Sequence, residues 1–304
     1  MAEQGSYSPE EVSKILKIAK GTVYEIIKRG ELPAYRIGKK IRVNQEDLDE
    51  YQQASNIAGK KELESSLNSS QGLIICGQDI ILDILTRYME RKAPALRTLR
   101  SYVGSIDGLS ALYKKQVNVT AAHLWDPDTN DYNTPYIKKL LPGQKLVVIN
   151  LAYRYQGFYV KEGNPKKIFD WQDLLRPDIT FINREAGCGA RVLLDQKLMA
   201  TGLDSQGIRG YDKVEYSHAA VASAVSRGVA DVGLGIEKAA LQVPGLSFIS
   251  MQKERYDLVL YRQDLTKANF KLLLEIIRSK EFKDEVKGLG GYDVDQMGEI
   301  LAEI

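Results

Sequence analysis

The sequence predicts two domains of different class, a small α+β unit at the N-terminal end and a larger α/β unit after it. Three observations carry this. At 304 residues the chain exceeds one average domain. From Val12 to Asn44, nine basic residues stand against two acids, a charge of about +7, whereas the whole chain carries only +2. After residue 72, apolar strands alternate with helical patterns, the order that builds a parallel sheet covered by helices. One end is thus suited to a polyanion, and the slightly acidic remainder is suited to a core and a cleft.

The N-terminal elements follow from local signals. Ser8-Pro9-Glu10-Glu11 starts a helix: Ser8 caps, Pro9 suits the first helical position, and Glu11 completes a capping box. Val12, Ile15 and Leu16 give it an apolar face. A break at Lys17-Ile18-Ala19 leads to a second helix with Val23, Ile26 and Ile27 inward, ended by Gly30. Two short helices joined by a tight turn make a helix-turn-helix. "AYRIGKKIRV" reads as a hairpin with Gly38-Lys39 at its turn, and Asn44 to Asp47 opens a third helix carrying Leu48 and Tyr51.

Residues 7–43 resemble the excisionase family of winged helix-turn-helix domains, relatives of the MerR type. The likeness lies in Tyr7-Ser8-Pro9-Glu10-Glu11-Val12, Thr22-Val23-Tyr24, Lys28 to Ala34, Arg36-Ile37-Gly38 and Ile41-Arg42-Val43. It implies a partner, double-stranded DNA. Lys20, Thr22, Tyr24, Lys28 and Arg29 would sit on a recognition helix in the major groove, and Arg36, Lys39, Lys40 and Arg42 on a wing against the flanking backbone. Gly21 and Glu25 depart from the polar or basic residues frequent there, which leaves the bases read unassigned. A homodimer on a two-fold operator is expected, because one short module makes few contacts. The DNA-binding domain is placed at 1–53. The serine-rich stretch 54–71 either extends the third helix or links to the domain at 72–304.

In that second domain, "GLIICGQD" is an apolar strand followed by a helix with Ile80, Ile81, Ile84 and Leu85. "LRSYVGSIDGLSALYKKQ" repeats strand, Gly104-Ser105, helix, and "VNVTAAHLWDP" is a further strand. Parallel sheets bind ligands at strand C-termini, so Gln78, Asp79 and Ser105 sit where helix starts face a cleft. Capping explains these residues equally well. "KLVVINLAYRYQGFYVKEGNPKKIF" onward passes strand, short helix and strand into "NREAGCGAR" and its helix. "SHAAVASAVSRGVADVGLGIEKAA" gives helix, strand and turn; "LSFISMQKERYDLVLYRQDL" gives two strands before a helical end.

This order resembles the two-lobed periplasmic-binding-protein superfamily, of type II, in the branch fused to helix-turn-helix domains. It is also similar to the solute-binding proteins for molybdate and tungstate. "GSIDGLSAL", "AAHLWD", "QGFYVKEGNP", "NREAGCGAR" and "ERYDLVL" carry the likeness. It places the second lobe at about 160–250, with the crossing at Gly163-Asn164-Pro165. The implied function is a one-component transcriptional regulator that closes on a small anionic ligand, an oxyanion such as molybdate or tungstate or a small organic anion. Gly187 and Gly189 would let backbone approach it, Cys188 and Ala190 would stand at the helix entry, and Arg184 and Arg191 would add bidentate contacts. The related pattern is closer to Gly-Ser-Gly-Thr-Arg, so two hydroxyls are missing. Alternatively, the arginines pair with nearby acids such as Glu185. Two other functions compete: an architectural DNA binder with a non-sensing second domain, and a binding protein or enzyme of molybdenum-cofactor metabolism.

Other residues argue for absences. With two histidines and two distant cysteines, neither a bound metal, a cofactor nor a disulfide framework is expected. His123 and His218 read as core or capping residues. Tyr153 and Tyr155 either line the cleft or pack at the lobe crossing, and Gly233-Leu234-Gly235 is a backbone approach or a turn. Asp79, Asp107 and Asp126 follow strands without a nucleophile–base signature, so no enzyme is expected. No signal peptide or membrane span is legible, and the expected setting is cytoplasmic.

Overall fold

The structure, a computed structural model, describes residues 6–38, 40–55 and 72–304. These fall into two compact units, one within Met1–Gln71 and one spanning Gly72–Ile304.

The first unit runs β1 (Ser6–Tyr7), α1 (Pro9–Leu16), α2 (Lys20–Lys28), β2 (Tyr35–Ile37), β3 (Lys40–Asn44) and α3 (Gln45–Ser55), with its sheet ordered β1-β3-β2. The capping box forms: Glu11 N donates to Ser8 Oγ at 3.3 Å, and Ser8 N donates to Glu11 Oε2 at 2.7 Å. Lys17, in the left-handed region at φ 54°, ends α1 and makes the tight turn into α2. Val12, Val23, Ile26, Leu32, Val43 and Leu48 form the core. Ala54 and Ser55, the start of the serine-rich stretch, belong to α3, the helix extension that is one of its two readings. The rest of that stretch lies outside the described residues.

The second unit continues with β4 (Leu73–Cys76), α4 (Ile80–Lys92), β5 (Thr98–Ser101), α5 (Ser105–Tyr113), β6 (Val119–Ala122), β7 (Trp125–Asp126), β8 (Asp131–Tyr132), α6 (Thr134–Leu140) and β9 (Leu146–Lys161). Then come β10 (Phe181–Arg184), α7 (Gly189–Thr201), β11 (Val214–Glu215), α8 (His218–Ser226), β12 (Val232–Ile236), α9 (Glu237–Gln242) and β13 (Leu246–Tyr261). The chain closes with α10 (Ala268–Arg278), α11 (Lys280–Gly288), β14 (Tyr292–Asp293) and β15 (Ile300–Glu303).

The sheet is mixed rather than parallel throughout. Its order is β11-β10-β12-β9-β13-β6-β4-β5, with β14 and β15 also on β9. Parallel pairs lie at the two ends, β4 with β5 and β6, and β10 with β11 and β12. Between them run β9 and β13, antiparallel, each 16 residues and so about 50 Å long. Both lobes share these two strands. Apolar clusters cover both faces of each lobe's part of the sheet.

Three expectations are corrected here. The "LSFISMQKERYDLVLY" segment is one strand, not two. The chain passes between lobes inside β9, where pairing with β14 at Arg154 gives way to pairing with β12 from Gln156 onward. Gly163-Asn164-Pro165 is instead a turn following that strand. Gly233-Leu234-Gly235 is neither turn nor ligand approach but the middle of β12, where a side chain at Gly235 would strike the Tyr159 ring.

Candidate functional site

Four helix N-termini from the two lobes converge on one small cavity. Lobe one contributes Gln78 and Asp79 before α4, and Gly104 and Ser105 at α5; lobe two contributes Cys188 and Ala190 at α7, and His218 at α8. Arg184, His123, Arg154 and Tyr256 complete the wall. The free volume open to a water's centre is about 20 Å³, scarcely more than the roughly 10–15 Å³ that one water needs. The lobes touch across it: Ile106 N donates to the Gly187 carbonyl at 3.1 Å. Gly104 makes this approach possible, since a Cβ there would lie 2.9 Å from Cys188 Cα.

The cavity floor is a buried ionic network. Arg154 and Glu254 are direct partners across β9 and β13, and Arg154 also pairs with Asp79 from the α4 cap. Asp79 Oδ1 accepts from Ile81 N at 2.8 Å, and the Tyr292 hydroxyl lies 3.0 Å from each carboxylate oxygen. Burial alone would raise Glu254, but Arg154 and then His123 outweigh it and hold its carboxyl at about 2. His123 Nδ1 sits 2.8 Å from Glu254 Oε2 and 3.1 Å from Gln156 Nε2. Burial lowers His218 well below the usual imidazole range, with Arg184 adding to it, so its ring is neutral. Three buried polar atoms here have no partner among the described residues: His218 Nδ1, the Tyr256 hydroxyl and Gln156 Oε1. Such atoms cost free energy unless something fills their hydrogen-bonding capacity.

The cleft residues expected from the sequence divide into two groups. Gln78, Asp79, Ser105, Arg184, Cys188 and Ala190 do meet on the cavity. Arg191 does not. It is bound to Asp195 at 3.0 Å, one turn along α7, and stacks on Tyr211 at 4.2 Å. The i,i+4 spacing to an acid draws the guanidinium along the helix, away from the cleft. Gly187 presents its carbonyl to α5 instead of an N–H to the cavity, and Gly189 makes room for the His123 ring, which a Cβ would meet at 2.4 Å. Cys188 caps α7 through its sulfur, with Arg191 N at 3.4 Å, and burial pushes its thiol up to about 11. It is therefore a neutral thiol, free of disulfide.

Arg154, Glu254 and Tyr256 escaped the sequence reading, and His123 and His218, read there as core or capping residues, line the cavity. The signal was a charge of each sign inside an apolar strand, in "LAYRYQGF" and "QKERYDLVL". Strand alternation separates the side chains: those of Arg154 and Gln156 join the network, while Tyr153 and Tyr155 lie on a neighbouring groove that Arg154 and Tyr292 also border. Asp126 ends β7 and accepts from Thr129 N at 3.0 Å in the turn towards β8.

In the first unit, Lys20, Thr22, Tyr24, Lys28 and Arg29 are all exposed along α2 and its end. Arg36 and Lys40 are exposed on the β2–β3 hairpin beside Ile37. Lys39 lies outside the described residues. Lys20 pairs with Glu10 at 3.0 Å, Arg29 with Glu31 at 2.8 Å and Arg42 with Glu11 at 3.5 Å. These are surface contacts, weak enough for a phosphate to replace.

Fold and sites together define a class: a helix-turn-helix DNA-binding domain joined in one chain to a two-lobed ligand-binding domain. The helix-turn-helix domain model matches residues 6–56, and the PBP superfamily domain model matches residues 86–278. The chain belongs to the PBP superfamily. It is 39% identical to the uncharacterized protein YvgK of Bacillus subtilis (strain 168) over 311 aligned residues, the full length of both. It is also 48% identical over 113 residues, 37% of this chain, to the whole of an uncharacterized protein in the 5′ region of the ferredoxin 2Fe-2S gene of Clostridium pasteurianum. Among solved structures it is similar in fold to a putative phosphate ABC transporter substrate-binding protein with bound phosphate from Clostridium perfringens. The TM-score is 0.56 at 16% identity, over 73% of this chain and 99% of that one. Corynebacterium glutamicum OxyR, as a cysteine-to-serine mutant with H2O2 bound, shares a TM-score of 0.50 at 15% identity over 93% of this chain and 89% of its own. No helix among the described residues is long and apolar enough to cross a membrane.

Proposed function

We propose that this protein is a ligand-responsive transcriptional regulator whose second unit closes on a small anion and whose first unit reads an operator as a homodimer. The observation that carries the ligand is the pair of unpartnered cavity atoms, His218 Nδ1 and the Tyr256 hydroxyl, set among four helix N-termini. Hydrogen-bond donors and positive dipole ends in a confined space suit an oxyanion or a carboxylate. The cavity as it stands admits little more than a water, so a ligand even as small as molybdate, tungstate or phosphate enters only as the lobes part or a lining side chain moves aside. Ser105 and Tyr256 supply hydroxyls that compensate for those missing at positions 188 and 190. Both cavity arginines already hold carboxylates, so the ligand must compete for them. For the response, the ligand must bind one lobe arrangement better than the other, and DNA affinity must differ between the two.

Thermal unfolding of the full-length protein with molybdate, tungstate, phosphate, sulfate and small organic acids tests this. An anion at about a hundred times its Kd adds about 2.7 kcal/mol of stability, a readily visible rise in Tm. The stabilising anion should also shift the midpoint for operator DNA. If no anion raises Tm, the sensing role is wrong; if one does while DNA affinity stays constant, the regulatory role is wrong.

A further inference from the structure

Arg184 is buried at the end of β10 with only 1% of its side chain exposed, and its fork is occupied. Glu185, the next residue, accepts from Arg184 Nε at 2.7 Å through Oε2 and from Nη2 at 2.8 Å through Oε1. That two-oxygen, two-nitrogen arrangement is how a bound carboxylate or tetrahedral oxyanion would take a guanidinium. A third contact reaches from the opposite lobe: Gln78 Nε2 donates to Glu185 Oε1 at 3.1 Å, and Gln78 Oε1 accepts from Arg184 Nη2 at 2.6 Å. Glu185 is thus gripped from both lobes, as a ligand in such a cleft would be. Although burial opposes it, Arg184 holds its carboxyl below the ordinary range, so it is charged at neutral pH.

We propose that Glu185 is the specificity-determining residue of the cleft, a tethered anion that a ligand must displace from Arg184 and Gln78 together. This rests on the reading that the cleft takes an anion. Binding is then an exchange of one carboxylate for another group, so a ligand gains only by matching all three contacts. Carboxylates and tetrahedral oxyanions can offer two oxygens to the fork and share one with the Gln78 amide. A halide offers a single point and cannot replace Glu185. Once displaced, the Glu185 side chain is free to turn outward, since it already has 18% of its surface exposed.

The test titrates the full-length wild type, Glu185→Gln and Glu185→Asp with phosphate, molybdate, acetate and chloride by calorimetry, with Tm read in parallel. Glu185→Gln keeps the shape but removes the competing charge. It should bind the oxyanion or carboxylate that binds the wild type roughly tenfold tighter, because Arg184 is left without its counter-charge. It should also acquire chloride stabilisation that the wild type lacks. Glu185→Asp keeps the charge but is too short for both fork contacts, and should fall between; it carries the test if Glu185→Gln does not fold. Equal or weaker affinity in the folded variants overturns the proposal while leaving anion binding intact. If none of the four anions binds any of the proteins, the anion reading itself fails, and this inference falls with it.

Discussion

At the scale of single residues, the two arginines of "NREAGCGAR" have different fates, and so do their neighbours in the network. Arg191 belongs to α7 and Asp195; Arg191→Ala should leave anion affinity near normal and cost about 1–2 kcal/mol in stability, since its pair with Asp195 is partly buried and it stacks on Tyr211. Arg154 is different, because removing it strands Asp79 and Glu254, both buried, without a counter-charge. Arg154→Ala should destabilise by about 3–5 kcal/mol in chemical denaturation, or prevent folding. The titrating groups set a direction with pH. His218 is neutral in the fold, its imidazole depressed, so stability is full above about pH 6.5 and declines as pH falls and the unfolded chain takes up the proton. Glu254 adds a second loss, from about 4.5 down to about 2. Tm should therefore fall between pH 7 and 5, and His218→Gln should flatten that part of the curve. A Tm unchanged over this interval would place the His218 ring in a different environment.

At the scale of elements, the surface of α2 and the hairpin tip carry the DNA prediction. Arg36→Ala or Lys40→Ala should weaken binding to all sequences and reduce the salt slope by about one per lost phosphate contact. Thr22 and Tyr24, exposed on α2, should instead alter sequence preference when replaced, as read by binding-site selection. In the cleft, the start of α5 has no side chain where it meets Cys188. Gly104→Ala is compatible with its φ of −69°, yet its new methyl would meet backbone of the other lobe. Anion affinity should drop by roughly tenfold or more, the equivalent of about 1.4 kcal/mol. The helix-turn-helix elements were legible because caps, turns and apolar spacing act within a few residues. The long strands were not, since Arg154, Gln156 and Gly157 interrupt an apolar run and look like a loop until β13 and Glu254 pair with them. The cleft's location was legible in Gln78, Ser105 and Cys188. Its floor was not, because it joins residues about a hundred positions apart. Arg191 could have been assigned correctly from Asp195 four positions on.

At the scale of the whole molecule, the proposal of a two-fold operator makes oligomeric state decisive. The full-length protein should sediment as a dimer, and footprinting should find half-sites about one helical turn apart. A monomer protecting a single half-site would contradict it. The cleft and the DNA-reading surface also belong to separate compact units. Arg36→Ala should therefore leave anion affinity unchanged when measured without DNA, and Gly104→Ala should leave intact the sequence preference of the DNA complex.

The two shared strands have a consequence during synthesis. When β9 leaves the ribosome, its partner β13 is still about a hundred residues from being made, and at roughly 5–20 residues per second this is a wait of many seconds. During it, a 16-residue strand, apolar along most of its length, has both edges unfilled, the kind of template on which chains mispair. The lobe begun first is thus finished last, after the other has been made in between. Nascent chains stalled before residue 246 should be held by a chaperone and aggregate when released, whereas chains stalled beyond residue 303 with the exit tunnel cleared should stay dispersed. The same geometry makes the second lobe unsuited to life as a separate fragment, because cutting it out severs both strands at mid-length.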